Sequence, residues 1–454
     1  MSQRTKRGVL ASLGFMLVLG LTVALVSALV GGSHLVVHAD PTGIKYTGAG
    51  ACSAAACHGA AAPKEEEACR HNENTMWSDK DQHSKAFNDP EKGLVGKKAD
   101  GISATLKLGA AAKAERCLTC HALSGLAKGG EGRVFLKPGD IDPAKYNVAD
   151  GNSCDACHGP AEKYMPKHTE KGWTAGQRKA VGSQKLYDDM GLYDTKNLKW
   201  RANQCLSCHL KIDADMVAAG HPELSFELDS MTNPDEPWKQ DWVHWRKGPP
   251  WFSGKVWAMG QVVSLRHAAL QLADRTTAKA AAPQLAESTG VVIAHALNAR
   301  QIAKVIDAAS QGAIDAQLTA INAAAGDAAK TDAACKELAK VADALADKVN
   351  EKAWDQATTE ALLKGVASEG EQAAKGGYKA AEQYTIGVRS LWNTIANITK
   401  PADAKAKGDA ADALYTPLGD PTDPASPFKP DDFATAAKGI AGLFPGGASI
   451  PLPK

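Results

Sequence analysis

A charge excess of either sign is missing from this chain of 454 residues, in which 52 Lys and Arg face 51 Asp and Glu. With no basic surplus to neutralise phosphates, the composition points to no nucleic-acid partner. Aromatics are scarce at 6%, and ten cysteines are too few in so long a chain for a disulfide-stapled small domain. Charged residues at 23% and a mean hydropathy of −0.27 exclude a polytopic membrane protein and a wholly disordered one. The length allows two or three domains.

What is present starts with the N-terminus. Arg4, Lys6 and Arg7 precede a run from Gly8 to Ser33 without a charged residue, and Val37-His38-Ala39 offers small or apolar residues for cleavage. That is the secretory pattern. The run is also long enough to span a bilayer, which takes about 20 apolar residues. A cleaved signal peptide over residues 1–39 and an uncleaved anchor through residues 8–33 therefore both stand, and both place the rest in the periplasm or another extracytoplasmic space. Without residues 1–39 the chain keeps 49 basic against 51 acidic side chains.

Cysteine spacing carries the chemistry. Cys117-Leu-Thr-Cys120-His121, Cys154-Asp-Ala-Cys157-His158 and Cys205-Leu-Ser-Cys208-His209 each read C-x-x-C-H, the attachment signature of c-type haem. Two thiols add across the two vinyl groups of one porphyrin, and the adjacent imidazole reaches the iron. Cys52-Ser-Ala-Ala-Ala-Cys57-His58 is a variant with four residues between the thiols, an Ala-rich loop that can bulge. A zinc site would want a second ligand pair and no histidine after every motif, and a thioredoxin-type pair would occur once. For the variant, a local Cys52–Cys57 disulfide is the competing reading. Four haem c groups are expected, bound through Cys52, Cys57, Cys117, Cys120, Cys154, Cys157, Cys205 and Cys208, with His58, His121, His158 and His209 on the irons. Cys69 and Cys335 are left over, either structural thiols or a disulfide.

The other face of each iron needs a histidine or a methionine. The candidates are His83, His168, His221 and His244; His71 is weaker, and His267 reads as an ordinary helical residue. Residues 46–260 resemble the tetrahaem cytochrome c-554 family, electron carriers of nitrogen-oxidising bacteria. The matching pieces are Trp77…His83-Ser-Lys-Ala86, Gly151-Asn-Ser-Cys154-Asp-Ala-Cys157-His158-Gly159-Pro160 and the downstream His168. The resemblance implies closely packed haem pairs, with a histidine from one segment binding a haem attached elsewhere. It pairs His83 with the His158 haem, His168 with that of His58, and His221 or His244 with that of His209. In the family the second haem, here that of His121, has no sixth protein ligand; two downstream histidines in this chain could close all four irons.

The fold class expected is mainly α, with a haem-organised first half of short helices and long loops over residues 40–256. Eight of the ten tryptophans lie between Trp77 and Trp257, and apolar runs there are short, so haems supply much of the buried surface and the apoprotein is expected to be largely unfolded. Over residues 257–416 an Ala-rich antiparallel helical bundle is expected, with helices at Trp257–Asp274, Ile293–Ala325, Asp332–Val349, Trp354–Val366 and Glu369–Ile398. Leu338, Val341, Leu345 and Val349 recur at helical spacing. Residues 417–454 read as a Pro/Gly-rich tail with one short helix near Asp431–Leu443. Gly290-Val-Val-Ile-Ala-His295 is either an apolar helix start or the remnant of a further attachment motif.

Two function classes follow. In the first, the chain is an exported carrier passing electrons through four haems, mostly closed by two histidines, between redox partner proteins, alone or in an oligomer or filament. In the second, the iron of His121 keeps an open position for nitrite, hydroxylamine or nitric oxide. Tyr146, Tyr164, Tyr187 and Tyr193 are packing residues or neighbours of such a site.

Overall fold

Among the described residues, those up to 251 form mostly short helices joined by loops and later ones form longer helices, so the protein is mainly α. The computed structural model describes residues 43–64, 70–127, 132–212, 214–222, 224, 226–232, 248–419 and 425–453. The leader or anchor segment, Cys69 and His244 lie outside the described residues. Within them, no helix is long and apolar enough to cross a membrane.

The first half carries α1 (Glu73–Lys80), α2 (Lys97–Thr105) and α3 (Glu115–His121), then the antiparallel pair β1 (Ser124–Leu126) and β2 (Arg133–Phe135) in the register Gly125 opposite Val134. It continues with α4 (Cys154–His158), α5 (Tyr164–His168), α6 (Ala175–Val181), α7 (Ser183–Met190), α8 (Leu198–His209), α9 (Ala214–Ala218) and α10 (Leu228–Thr232). Side-chain cores here are small. Leu94, Ala111, Leu118 and Ala122 form one, Tyr46, Leu136 and Tyr146 a second, and Leu126, Tyr187 and Tyr193 a third. Tyrosines, more than tryptophans, do the packing. The hydroxyls of Tyr146, Tyr164, Tyr187 and Tyr193 donate to the backbone carbonyls of Ala122, Gly159, Leu126 and Trp200.

The second half comprises α11 (Phe252–Thr277), α12 (Ala282–Ile306), α13 (Ala308–Ala323), α14 (Ala328–Glu351), α15 (Gln356–Ala367), α16 (Gly370–Lys375), α17 (Tyr378–Thr399), α18 (Ala404–Ala413), α19 (Tyr415–Leu418) and α20 (Pro430–Leu443). Caps set several starts: Asp327 accepts from the Lys330 N–H and Asp355 from the Thr358 N–H. Leu338, Ala342, Leu345 and Val349 form the buried stripe of α14, with Val341 at its edge. Two expected helices are each split. The span 293–325 starts earlier, with Pro283 in the first turn of α12, and breaks at Asp307, whose φ of −155° leaves the helical region. The span 369–398 breaks at Gly376-Gly377, where Gly377 has φ +84°.

The two halves share one core. A boundary at 256/257 falls inside α11. Leu198, Ala202 and Leu206 of α8 join the same apolar cluster as α11, α12, α14 and α17, each fully buried leucine contributing about 2 kcal/mol. Polar contacts bind the same surfaces. Lys199 Nζ reaches Asp343 Oδ2 at 3.0 Å and Asp347 Oδ1 at 2.8 Å, while Gln271 and Arg275 both donate to the Ile212 carbonyl. The chain end is held as well: Arg300 pairs with Asp315 and donates to the carbonyls of Ile450 and Pro451, and Glu369 accepts from the Ile450 N–H.

His295 lies mid-helix in α12, not at a helix start. It is buried, with Nδ1 donating to Gln261 Oε1 at 2.9 Å. Burial holds its imidazole down to about 3, so it is neutral at ordinary pH. Gly260 marks where α11 meets α10: a Cβ there would sit 2.6 Å from Leu228 Cβ and 3.2 Å from Leu228 N. Gly260→Ala is therefore expected to cost about 1–3 kcal/mol, as overpacking does, lowering the urea midpoint; an unchanged midpoint would mean that α10 and α11 are not in close contact.

Candidate functional site

Three of the attachment motifs end helices. Cys117–His121 closes α3, Cys154–His158 is α4, and Cys205–His209 closes α8. Thiols three apart on a helix lie on one face, and the following histidine is carried on the last turn. The variant motif is a turn instead. The Ala54 carbonyl accepts from the N–H groups of Cys57, His58 and Gly59, at 2.8, 3.1 and 3.0 Å, so the four-residue insertion folds back on itself. Cys52 and Cys57 are free thiols in the structure, as are the six regular ones and buried Cys335. Thiols from different motifs are near enough to influence one another: Cys52 with Cys154, and Cys120 with Cys208. The first motif thus lies against the third, and the second against the fourth.

The histidine rings fall into pairs. His58 and His168 have centroids 6.2 Å apart and planes 7° from parallel. His83 and His209 are 6.3 Å apart at 67°, and His121 and His221 are 6.4 Å apart at 80°. Two imidazoles bound to opposite faces of one metal would have centroids about 6 Å apart, given metal–nitrogen bonds of roughly 2 Å and about 1 Å from nitrogen to centroid. One pair at this spacing is an ordinary ring contact. Three pairs, each joining a motif histidine to a histidine outside any motif, make a pattern.

The remote nitrogens are tied down in five of these six rings. Nδ1 donates to Glu73 Oε2 from His58 (2.9 Å), to Asp81 Oδ1 from His83 (2.8 Å), and to the Ala86 carbonyl from His121 (2.8 Å). His168 donates to the carbonyls of Met165 and Tyr164, and His221 to that of Pro222 at 2.9 Å. A proton on Nδ1 leaves Nε2 bare, the arrangement in which metal-bound histidines are held. The exception is His209, whose Nδ1 is buried without a partner. Burial, with His83 and Arg133 nearby, lowers its imidazole to about 4, which keeps it neutral and able to bind metal.

Burial pushes the Cys157 thiol up to about 12 and that of Cys205 to about 11, yet Cys157 is exposed and Cys205 half-buried. His83 keeps 48% of its side-chain surface open, although burial weighs against its charged form and the Asp81 carboxylate is what lifts it. These groups have protein around them and still present open surface. Paired histidines and adjacent free thiols are a donor set that fits haem. Among the described residues no group of three or more His, Cys, Asp or Glu could hold a metal ion; a haem iron takes four ligands from its porphyrin and needs only two from protein.

The placements differ from those the resemblance implied at two histidines. His83 lies across from His209, not His158, and His221 across from His121, not His209. Which motif a distal histidine meets depends on how α8 docks on the long helices, and local spacing does not encode that. His168 lies across from His58. His71 lies beside the variant motif, its Nδ1 donating to the Ala56 carbonyl. The His158 carbonyl accepts from the Tyr193 N–H at 2.9 Å. His267 is buried in α11 with Nε2 2.9 Å from Asn203 Oδ1. Sequence reasoning missed Glu73, Asp81 and Arg133. Asp81 had a signal, an acidic residue two before His83; Glu73 and Arg133 had none.

No protein-family model matches the chain, and no curated protein or solved structure matches it either.

Burial would raise the Glu73 carboxyl, but hydrogen bonds from His58 and from backbone N–H groups hold it down to about 2. A carboxylate depressed on folding contributes stability that is full above its unfolded value, about 4.5, and lost as pH falls toward 2. Glu73→Gln is expected to flatten that part of the acid limb in urea unfolding across pH. An identical acid limb in the variant would exclude the His58–Glu73 contact as a source of acid sensitivity.

Proposed function

We propose that this protein is an exported multihaem c-type cytochrome that carries electrons through four covalently bound haems. The observation that carries the reading is the set of three histidine pairs, His58–His168, His121–His221 and His83–His209, each spaced for one iron. A bound haem supplies one-electron exchange at its iron. The chain's own residues hold and orient. Cysteine pairs 52/57, 117/120, 154/157 and 205/208 anchor the four groups through thioethers, and His58, His121, His158 and His209 approach from the motif side.

His168, His221 and His83 face three of those histidines, and Nδ1 hydrogen bonds to Tyr164, Met165, Pro222 and Asp81 keep their Nε2 atoms directed and unprotonated. Contacts between the first and third motifs, and between the second and fourth, favour two groups of neighbouring haems with transfer between edges. The pairing of His121 with His221 favours a closed iron over the open one that chemistry on nitrite, hydroxylamine or nitric oxide needs. Donor and acceptor are then redox proteins meeting the first half, with the long helices bracing it through α8. The resemblance of the motifs to the tetrahaem cytochrome c-554 family supports this reading, apart from the closed second iron and the partner of His83.

The test is haem quantification with low-temperature EPR of the oxidised protein. Four haems per chain are expected, with low-spin ferric signals. His221→Ala should turn one haem in four high-spin. A chain without covalent haem would overturn the reading, and unchanged spin state in His221→Ala would overturn the closed iron at His121.

A further inference from the structure

Arg133 occupies a place that neither the motifs nor the histidine pairs explain. It opens β2, opposite Leu126 of β1, and its guanidinium fork joins two attachment helices. Nε donates to Ser207 Oγ at 2.9 Å, Nη2 to the Gln204 carbonyl at 3.3 Å, and Nη1 to the Ala156 carbonyl. Ala156 lies between Cys154 and Cys157, and Ser207 between Cys205 and Cys208. The same guanidinium is within electrostatic reach of the sulfurs of Cys120, Cys157 and Cys208, one from each regular motif. All three groups it donates to are neutral, and no ion pair to Arg133 occurs among the described residues. A full positive charge on a half-buried side chain is thus set where three of the motifs converge.

We infer that Arg133 is a positioning and potential-setting residue, whose charge makes the haems attached through Cys120, Cys157 and Cys208 easier to reduce. The inference rests on the haem reading above. Reduction lowers the charge on an iron by one, so a fixed cation close by favours the reduced form, and more strongly where water is excluded. The haem on Cys52 and Cys57 is not among the motifs within reach of Arg133 and feels the effect least. Electrons entering the protein are thereby drawn to the three regular sites.

Spectroelectrochemical titration of the full chain tests this, with haem content measured on every variant. Arg133→Gln removes the charge and is expected to shift the reduced-to-oxidised ratio of up to three haems about tenfold toward oxidised at a given potential, or ~59 mV for a one-electron couple. Arg133→Lys keeps the charge without the fork and should stay within about threefold of the wild type. Gln204→Glu keeps the fork and sets a carboxylate beside it, since Gln204 Nε2 also donates to the Ala156 carbonyl, at 2.9 Å. It should shift the same haems in the same direction, and it carries the test if Arg133→Gln does not load haem. Superimposable titrations of wild type and Gln204→Glu, or Arg133→Lys falling as far as Arg133→Gln, would overturn the inference with full haem content intact. Absence of haem from the wild-type protein would instead overturn the functional reading beneath it.

Discussion

Helix α8 has to satisfy two surroundings with one run of twelve residues. Leu198, Ala202 and Leu206 sink into the core of the long helices, while Cys208 and His209 in its last turn belong to the attachment region. Asn197 fixes its start by accepting from the Lys199 N–H, and Lys199 ties the first turn to Asp343 and Asp347 of α14. Because α8 is clamped along its length, His209 is delivered to one place, and His83 meets it there. The neighbouring motifs follow from the same clamp, since Arg133 spans from α8 to α4, and Cys120 of α3 lies near Cys208.

The division of labour between the halves is a division of buried surface. The first half has three small clusters of side chains. The second half has alanines and leucines that close-pack without help. Bracing the first half on the second is a physical answer to a short supply of apolar side chains around the motifs. The buried polar groups of the long helices are spent on each other, as where Gln261 accepts from His295 and Asn298 and donates to Gln383.

Orientation of the paired imidazoles is partly local. Whereas His58 and His121 reach Glu73 and Ala86 from farther along the chain, three of the rings have their Nδ1 acceptor within four residues, Asp81 for His83, Tyr164 and Met165 for His168, and Pro222 for His221. Such short-range bonds hold a ring in one tautomer before any long-range contact forms. The distance between the two rings of a pair, by contrast, is a property of the whole fold.

Much of this was readable without coordinates. Three C-x-x-C-H motifs and one C-x4-C-H variant stand out in the sequence because each sets two thiols and an imidazole within a few residues, and alanine-rich periodicity marks the long helices. Helix breaks at Asp307 and Gly377 were less legible, since a single residue outweighs the propensity of its neighbours. By itself the sequence determined the local items: motif number, histidine supply, helical second half. Only the tertiary structure decided that the halves share a core, that His83 lies across from His209 and His221 across from His121, and that Arg133 stands among three motifs. Those are contacts between residues tens of positions apart, set by how helices dock, and no local pattern of residue types records them.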